Sequence, residues 1–297
     1  MIRSRIAPTP SGYLHMGNAL NFIITWLAVR KQNGTLRLRI DDIDNARTRT
    51  EYLDDIFDTL HWLGLDWDEG PVNTTDHLQN YSQVNRTARY NQLIDQLIAS
   101  SQVFACSCSR KTLEQQPCTC YQKQLPLNQP DTSLKLHTPE NLIIQVPDVQ
   151  AGTIPVNLHQ CMPDFVIRRR EGIIAYQIAS VADDTDYGIN LIVRGNDLLD
   201  STAAQLYIAQ LTGNTSFGQT AFYHHKLITG ADGSKLSKSA GSTSLKAWRE
   251  GGKSSADFYQ LLSQQLQLPE PCHSAQNLLT ITTNTSAFGL LTNTGTI

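Results

Sequence analysis

The stretch Arg5-Ile6-Ala7-Pro8-Thr9-Pro10-Ser11-Gly12-Tyr13-Leu14-His15-Met16-Gly17-Asn18 joins two periodic segments of opposite character. Before it, Ile2 to Ala7 has the make-up of a short strand. After it, Leu20, Ile23, Ile24, Leu27 and Ala28 recur at helical spacing and form an apolar face. Asn33-Gly34 closes that helix, and Leu36, Leu38 and Ile40 then alternate with Arg37, Arg39 and Asp41, a strand pattern. Strand, turn, helix, strand is how a doubly wound α/β sheet begins. Glycines in such a turn permit close backbone approach, and the helix behind it directs its positive dipole end at the turn. His15 can there donate a hydrogen bond to a phosphate. The plainer reading is a Pro/Gly turn whose histidine faces water.

Further along, the pattern predicts a helix over Thr50 to Leu63 closed by Gly64, and another over Tyr81 to Ala99. From about Ser101 to Gln160 periodicity weakens while cysteine, proline and glutamine accumulate, as in an inserted module. Strand patterns return at Phe165-Val166-Ile167-Arg168 and at Ile189 to Val193. The expected division is a catalytic first half over 1–100, a module over 101–160, a second half over 161–245 and a helical extension with a polar tail over 246–297. With 40% hydrophobic and 17% charged residues, 297 residues can bury a sizeable core. The net charge of -3 carries no electrostatic footprint of a nucleic-acid binder, so an RNA partner must be argued from a site. Arg168-Arg169-Arg170 reads more simply as a solvated strand end than as an RNA contact. No apolar run has membrane-spanning length, and the start has no signal-peptide core, so a cytoplasmic protein is expected.

Gly230-Ala231-Asp232-Gly233-Ser234-Lys235-Leu236-Ser237-Lys238-Ser239 presents two lysines on a glycine-bearing loop. It reads either as solvated surface or as a clamp that neutralises charge developed in nucleotidyl transfer. Taken together, His15-Met16-Gly17-Asn18 and Lys235-Leu236-Ser237-Lys238-Ser239 resemble the His-Ile-Gly-His and Lys-Met-Ser-Lys-Ser signatures of class I aminoacyl-tRNA synthetases. The resemblance implies a Rossmann-type catalytic domain that uses ATP with Mg²⁺. It places His15, Lys235 and Lys238 in catalysis and Pro8, Gly12, His15, Gly17, Asn18 and Lys238 around ATP. Asn18 stands where the family has its second histidine.

Arg5 to Gly12 and Arg39-Ile40-Asp41-Asp42-Ile43-Asp44-Asn45-Ala46-Arg47 are similar to the glutamyl branch of that family. So are Ala175-Tyr176-Gln177-Ile178-Ala179, followed by Asp183-Asp184, and Val193-Arg194-Gly195-Asn196-Asp197-Leu198. The resemblance implies an L-glutamate pocket made by Arg5, Ile6, Ala7, Pro8, Thr9, Asp41, Tyr176 and Arg194. Guanidinium groups suit two carboxylates, and Asp41 suits the ammonium, although the family pattern has a longer Glu there. Considered singly, the arginines would be surface ion-pair partners and Tyr176 a core aromatic. The acidic run Asp41-Asp42-Asp44 also leaves open a Mg²⁺ site.

Cys106-Ser107-Cys108 and Cys118-Thr119-Cys120 place four thiols within fifteen residues, enough for a tetrahedral Zn²⁺ or else ordinary free thiols. Cys161 and Cys272 stand apart. The cluster resembles the insert of the short, glutamyl-Q type of enzyme, whose ligands are Cys-x-Cys, a tyrosine and a later cysteine. Gln116 stands at the tyrosine position here, and Cys118 is additional, which leaves the fourth ligand open. Only 58 residues, Ala240 to Ile297, follow the lysine loop, so no anticodon-binding domain is expected. The resemblance then implies a monomer that transfers activated glutamate to the queuosine base of tRNA(Asp). A truncated glutamyl-tRNA synthetase charging the 3′ end and a non-catalytic RNA-binding paralogue are the alternatives.

Overall fold

The computed structural model describes residues 1–226, 244–266, 268 and 270–284. Strand β1 (Arg3–Ile6) runs parallel to β2 (Thr35–Leu38), with Arg5 opposite Arg37. Helix α1 (Met16–Arg30) connects them, as the sequence pattern requires. One apolar face was the expectation for α1, but Leu20, Phe22, Ile23, Ile24, Thr25, Trp26, Leu27 and Val29 are all buried. The extra cover comes from the C-terminal helix: Lys31 Nζ donates to the Thr282 carbonyl at 2.7 Å. Thr25 tolerates burial because its hydroxyl donates to the Asn21 carbonyl within the helix.

Helix α2 (Thr50–Leu63) ends on Gly64, whose φ of 71° is the left-handed cap that glycine adopts without steric cost. The helix expected over Tyr81 to Ala99 is shorter: α3 covers Thr87–Ala99. The preceding Gln83–Arg86 forms a 3₁₀ turn because the Ser82 hydroxyl takes the Val84 N–H and the Asp42 carboxylate takes the Gln83 N–H.

A three-stranded antiparallel sheet is ordered β3 (Val103–Cys106), β4 (Ser133–Leu136), β7 (Phe165–Arg168). A four-stranded sheet is ordered β6 (Gly152–Asn157), β5 (Ile143–Asp148), β9 (Ala221–His225), β8 (Leu191–Gly195). β8 and β9 are parallel, and β5–β6 is an antiparallel hairpin on their flank. Asn190 joins this sheet to β1, since its N–H donates to the Arg3 carbonyl and its side chain accepts from the Arg3 N–H. The strands cross the division expected at residue 160: β4 pairs with β7, and β5 with β9. Backbone pairing thus ties the stretch expected to be an inserted module to the second half on two sheets.

Helices α4 (Tyr176–Asp186) and α5 (Leu199–Leu211) pack against the larger sheet in one apolar cluster with α3. A second cluster gathers α1, α2, β1 and β2 with α6 (Leu245–Glu250), α7 (Ser255–Gln265) and α8 (Ala275–Asn284). Among the described residues no helix is long and apolar enough to cross a membrane.

Candidate active site

His15 is the N-cap of α1. Its Nδ1 accepts the Gly17 N–H at 3.1 Å, while the Asn18 Oδ1 accepts the His15 N–H at 3.0 Å, a reciprocal capping box. Burial lowers the His15 pKa, which favours the neutral ring. With Nδ1 occupied as an acceptor, the proton sits on Nε2, leaving that atom as a donor at the positive end of a helix dipole. Gly17 leaves room for this ring position: a Cβ there would stand 3.1 Å from His15 Cε1, and the ring would have to shift by a few tenths of an ångström. At Gly12 a Cβ would meet nothing within 4 Å, so crowding does not explain that glycine. Asn18, the departure from the family signature, acts as a cap.

Lys235 and Lys238 lie outside the described residues, but both flanks of their segment are anchored beside α1. On one side His225 Nε2 lies 3.1 Å from Asn21 Oδ1. On the other, the Leu245 N–H donates to the Leu14 carbonyl at 2.8 Å. Asp55 braces the same turn, accepting from the Leu14 N–H and from Arg249 at 2.6 Å.

Four side chains from three elements build the charged floor. The Nε of Arg5 on β1 donates to Asp184 Oδ1 at 2.9 Å, and the Nη1 of Arg39, just past β2, donates to the same oxygen at 2.7 Å. Arg39 also grips Asp41 with two parallel bonds of 2.6 and 3.1 Å. All four residues are buried. Burial works against the charge of Arg39, but Asp184, Asp41 and Asp183 outweigh it and hold the guanidinium well above its ordinary pKa. Asp184 sits below the usual carboxylate value because the Arg39, Arg5 and Arg194 charges overcome its desolvation. Asp41 is raised by burial, which Arg39 only partly offsets.

Arg194 at the end of β8 is oriented by a chain of polar contacts. Its Nη1 donates to Thr202 Oγ1 at 3.1 Å and to Gln205 Oε1 at 2.9 Å. Thr202 Oγ1 lies 2.8 Å from His224 Nε2, and His224 Nδ1 lies 2.9 Å from Asp148 Oδ2. The Nε and Nη2 of Arg194 are buried without a partner, and burial lowers its pKa. Two donors held ready in a desolvated place suit an incoming carboxylate.

Thr9, Asp41 and Tyr176 line one cavity of ≈ 200 Å³ together with Asp44, Arg47 and Arg169. Pro8 acts through its backbone, its carbonyl accepting the Asp41 N–H at 2.8 Å. Ile6, expected among the pocket residues, is fully buried in the core, and its carbonyl accepts the Arg39 N–H at 2.9 Å. Ala7 between them is half-buried. The alternative of a Mg²⁺ site on the acidic run finds no support, because each carboxylate is committed elsewhere. Asp41 faces Arg39, Asp42 faces His77 and Ser82 at 2.9 and 2.7 Å, and Asp44 faces Arg169 at 2.7 Å. Sequence reasoning gave no role to Arg39, Asp148, Asp184, Thr202 or His224, nor to Gln83, whose Nε2 donates to Asp41 at 3.2 Å and to Asp183 at 2.9 Å. Only the adjacency of Asp183-Asp184 to the Tyr176 segment pointed that way.

Cys106, Cys108, Cys118 and Cys120 come together with all four sulfurs within 4.8 Å of one another. The contacts Cys106–Cys118, Cys108–Cys118 and Cys108–Cys120 measure 3.6, 3.9 and 3.5 Å. Tetrahedral Zn–S bonds of about 2.3 Å require sulfurs about 3.8 Å apart, so the four thiols fit the ion. Burial pushes Cys106 up to about 12. Burial also opposes ionisation of Cys120, but the Ser107 N–H and the neighbouring thiols outweigh it and bring Cys120 down to about 7. Tyr121 is engaged otherwise, stacked on His137 with centroids 3.7 Å apart.

The family described as tRNA synthetases class I (E and Q), catalytic domain, matches residues 1–141 and 122–263. This chain belongs to that family. It is therefore an aminoacyl-tRNA synthetase-type ligase on a class I α/β fold. It is 34% identical over 277 residues to the glutamyl-Q tRNA(Asp) synthetase of Nitratidesulfovibrio vulgaris, covering 87% of this chain and 84% of that one. It is 39% identical over 247 residues to the Pseudomonas putida protein of the same name, covering 82% and 79%. Against a glutamate–tRNA ligase of Anaeromyxobacter the identity is 35%, over 84% of this chain and 55% of the relative, so the chain spans about half of that protein. A solved glutamate tRNA ligase from Elizabethkingia meningosepticum superposes with a TM-score of 0.72 at 20% identity, covering 94% of this chain and 64% of that one, and shows the same fold.

Proposed function

We propose that this synthetase activates L-glutamate with ATP and Mg²⁺ as glutamyl-AMP and transfers the glutamyl group to the queuosine base of tRNA(Asp), in the cytoplasm. The observation that carries the reading is the charge of the buried floor. With the adjoining Arg194, the floor sets three guanidiniums, Arg5, Arg39 and Arg194, against the carboxylates of Asp41 and Asp184, while the buried Asp183 beside them is paired with Arg86. That surplus of one positive charge complements glutamate, whose two carboxylates and one ammonium leave one negative charge. Arg5 and Arg194 take the carboxylates, Asp41 and Tyr176 lie on the ammonium side, and Thr9 closes the cavity. His15 Nε2, with Lys235 and Lys238, stabilises the triphosphate as charge moves. Zn²⁺ on the four cysteines would hold the knuckle after β3 in shape.

The queuosine step is supported by the relatives named glutamyl-Q tRNA(Asp) synthetase, which are matched over 79% to 89% of their lengths. Glutamate-dependent exchange of pyrophosphate into ATP tests activation. Nuclease mapping of labelled glutamate on tRNA(Asp) tests transfer: label in the anticodon loop supports the reading, and label at the 3′ end replaces it with a glutamyl-tRNA ligase.

A further inference from the structure

Beside the amino-acid cavity lies a second chamber of ≈ 570 Å³, lined by Cys108, Phe165, Arg169, Arg170, Tyr176 and Gln177 among others. Arg169 and Tyr176 line both spaces, so one wall separates the place of the amino acid from the chamber. Arg170 fixes the far side by donating to the carbonyls of Ser107 and Cys108 at 3.1 and 3.4 Å. Arg169 is held at the shared wall by Asp44 at 2.7 Å.

Gln177 is nine-tenths buried in this lining. Its Nε2 donates to Ser201 Oγ at 3.1 Å and lies 4.0 Å from Met162 Sδ, and its Oε1 is buried with no partner. An unpaired buried carbonyl carries a desolvation cost that a ligand hydroxyl can relieve. The chamber is thus lined by aromatic and cationic side chains, with an unpaired acceptor buried in its wall.

We propose that this chamber is the acceptor subsite, and that Gln177 Oε1 receives a hydrogen bond from one hydroxyl of a vicinal diol while its neighbour reacts. The inference rests on the proposed glutamyl transfer. In that step the reacting hydroxyl oxygen forms the ester bond to the glutamyl carbonyl carbon. The carbon–oxygen bond to AMP breaks, its electron pair leaves on the phosphate, and the hydroxyl proton passes to the departing AMP. Gln177 orients the diol and takes no proton. Queuosine's cyclopentene ring and the 3′-terminal ribose of tRNA both carry such a diol, so the chemistry is common to either acceptor.

The test compares wild type, Gln177→Met and Gln177→Glu on queuosine-containing tRNA(Asp), on the same tRNA with unmodified guanosine, and in glutamate-dependent pyrophosphate exchange. Losing one hydrogen bond corresponds to about tenfold. Q177M should raise the KM for the tRNA or lower transfer by about tenfold, with exchange within about twofold of wild type. Q177E keeps an acceptor at this position and should recover most of the transfer. Transfer by Q177M at the wild-type rate overturns the inference. So does a parallel fall of exchange and transfer in both variants, which would make Gln177 a packing residue. Wild-type label on the 3′ end of the unmodified tRNA would refute the queuosine acceptor, and the same variants would then read the chamber on the ribose diol.

Discussion

The Nη1 of Arg39 lies 2.7 Å from Oδ1 of Asp184, and through that contact the two ends of the proposed substrate site are mechanically one object. Asp184 holds Arg5, and Arg39 holds Asp41, so the proposed carboxylate and ammonium ligands share a single buried ion-pair chain. Of these four side chains Asp41 alone lines the cavity, with Arg5 behind it and Arg39 and Asp184 linking the two. Their role is to fix the angles at which Arg5 and Asp41 stand.

Asp184→Asn therefore damages binding geometry more than chemistry. It leaves two guanidiniums facing a neutral amide, and removing one member of a buried pair costs about 3–5 kcal/mol. Urea unfolding should show a loss of that order. Pyrophosphate exchange should show the KM for glutamate rising more than kcat falls. An unchanged KM in a folded variant would detach Asp184 from the site.

Acid should act on this floor in two opposed limbs. The carboxyls of Asp184, Asp42 and Asp148 all lie below 3.8 in the folded state. Their contribution is complete above 3.8 and is lost as pH falls through the lower folded values. Asp41 lies above 3.8, so its charged form costs stability, and that cost is relieved as pH falls through its raised folded value towards 3.8. Unfolding free energy should drift upward as pH is lowered towards about 4 and drop below it. Asp41→Asn should abolish the first limb, and Asp148→Asn should weaken the second.

His15 has two separable jobs. His15→Asn retains a side-chain oxygen for the cap but removes the Nε2 donor, whereas His15→Ala removes both. The Ala variant should lose about 1 kcal/mol of stability, and the Asn variant should unfold close to wild type. Both should slow pyrophosphate exchange by about 10²–10³. Normal exchange in either variant would show that His15 serves only as a cap.

The sequence was most informative where function depends on contiguous residues. The β1–turn–α1–β2 unit, the Gly64 cap and the four-cysteine cluster follow from local pattern, because each signal lies within one or two turns of chain. Arg39–Asp184, Asp148–His224 and His224–Thr202 join residues 145, 76 and 22 positions apart. No periodicity records such pairings; β-sheet topology creates them. The same cause hid the β4–β7 pairing, which joins residues on either side of the expected module boundary.

The cysteine knuckle should carry one zinc per chain, with Cys118 as the fourth ligand. Cys118→Ser and Cys120→Ser should lose metal to a comparable degree, measured by elemental analysis after dialysis. Cys272→Ser should retain it, since Cys272 is buried among the C-terminal helices. A chelator should raise protease sensitivity between Cys106 and Cys120 first, because folding there depends on the metal. Full zinc retention by Cys118→Ser would return the fourth position to another residue.

Substrate choice follows from the charge of the floor. Glutamate brings one net negative charge to a site with one surplus guanidinium, and aspartate brings the same charge on a chain shorter by one methylene. Glutamine brings none, and its amide would set N–H donors against the donors of Arg5 or Arg194. Arg194 makes the case sharper, because its Nε and Nη2 are already buried without partners. A site equipped for a specific polar group rejects an analogue lacking it by about 10⁴–10⁵, whereas one methylene is worth only about 10–200-fold. The expected order in pyrophosphate exchange is glutamate, then aspartate, with glutamine last. Arg5→Ala should collapse the glutamate–glutamine difference while leaving ATP binding intact, because Arg5 bonds Asp184 in the amino-acid floor and His15 caps the nucleotide helix separately. Equal activation of glutamine and glutamate by the wild-type chain would refute the charge argument and move the substrate away from a dicarboxylic amino acid.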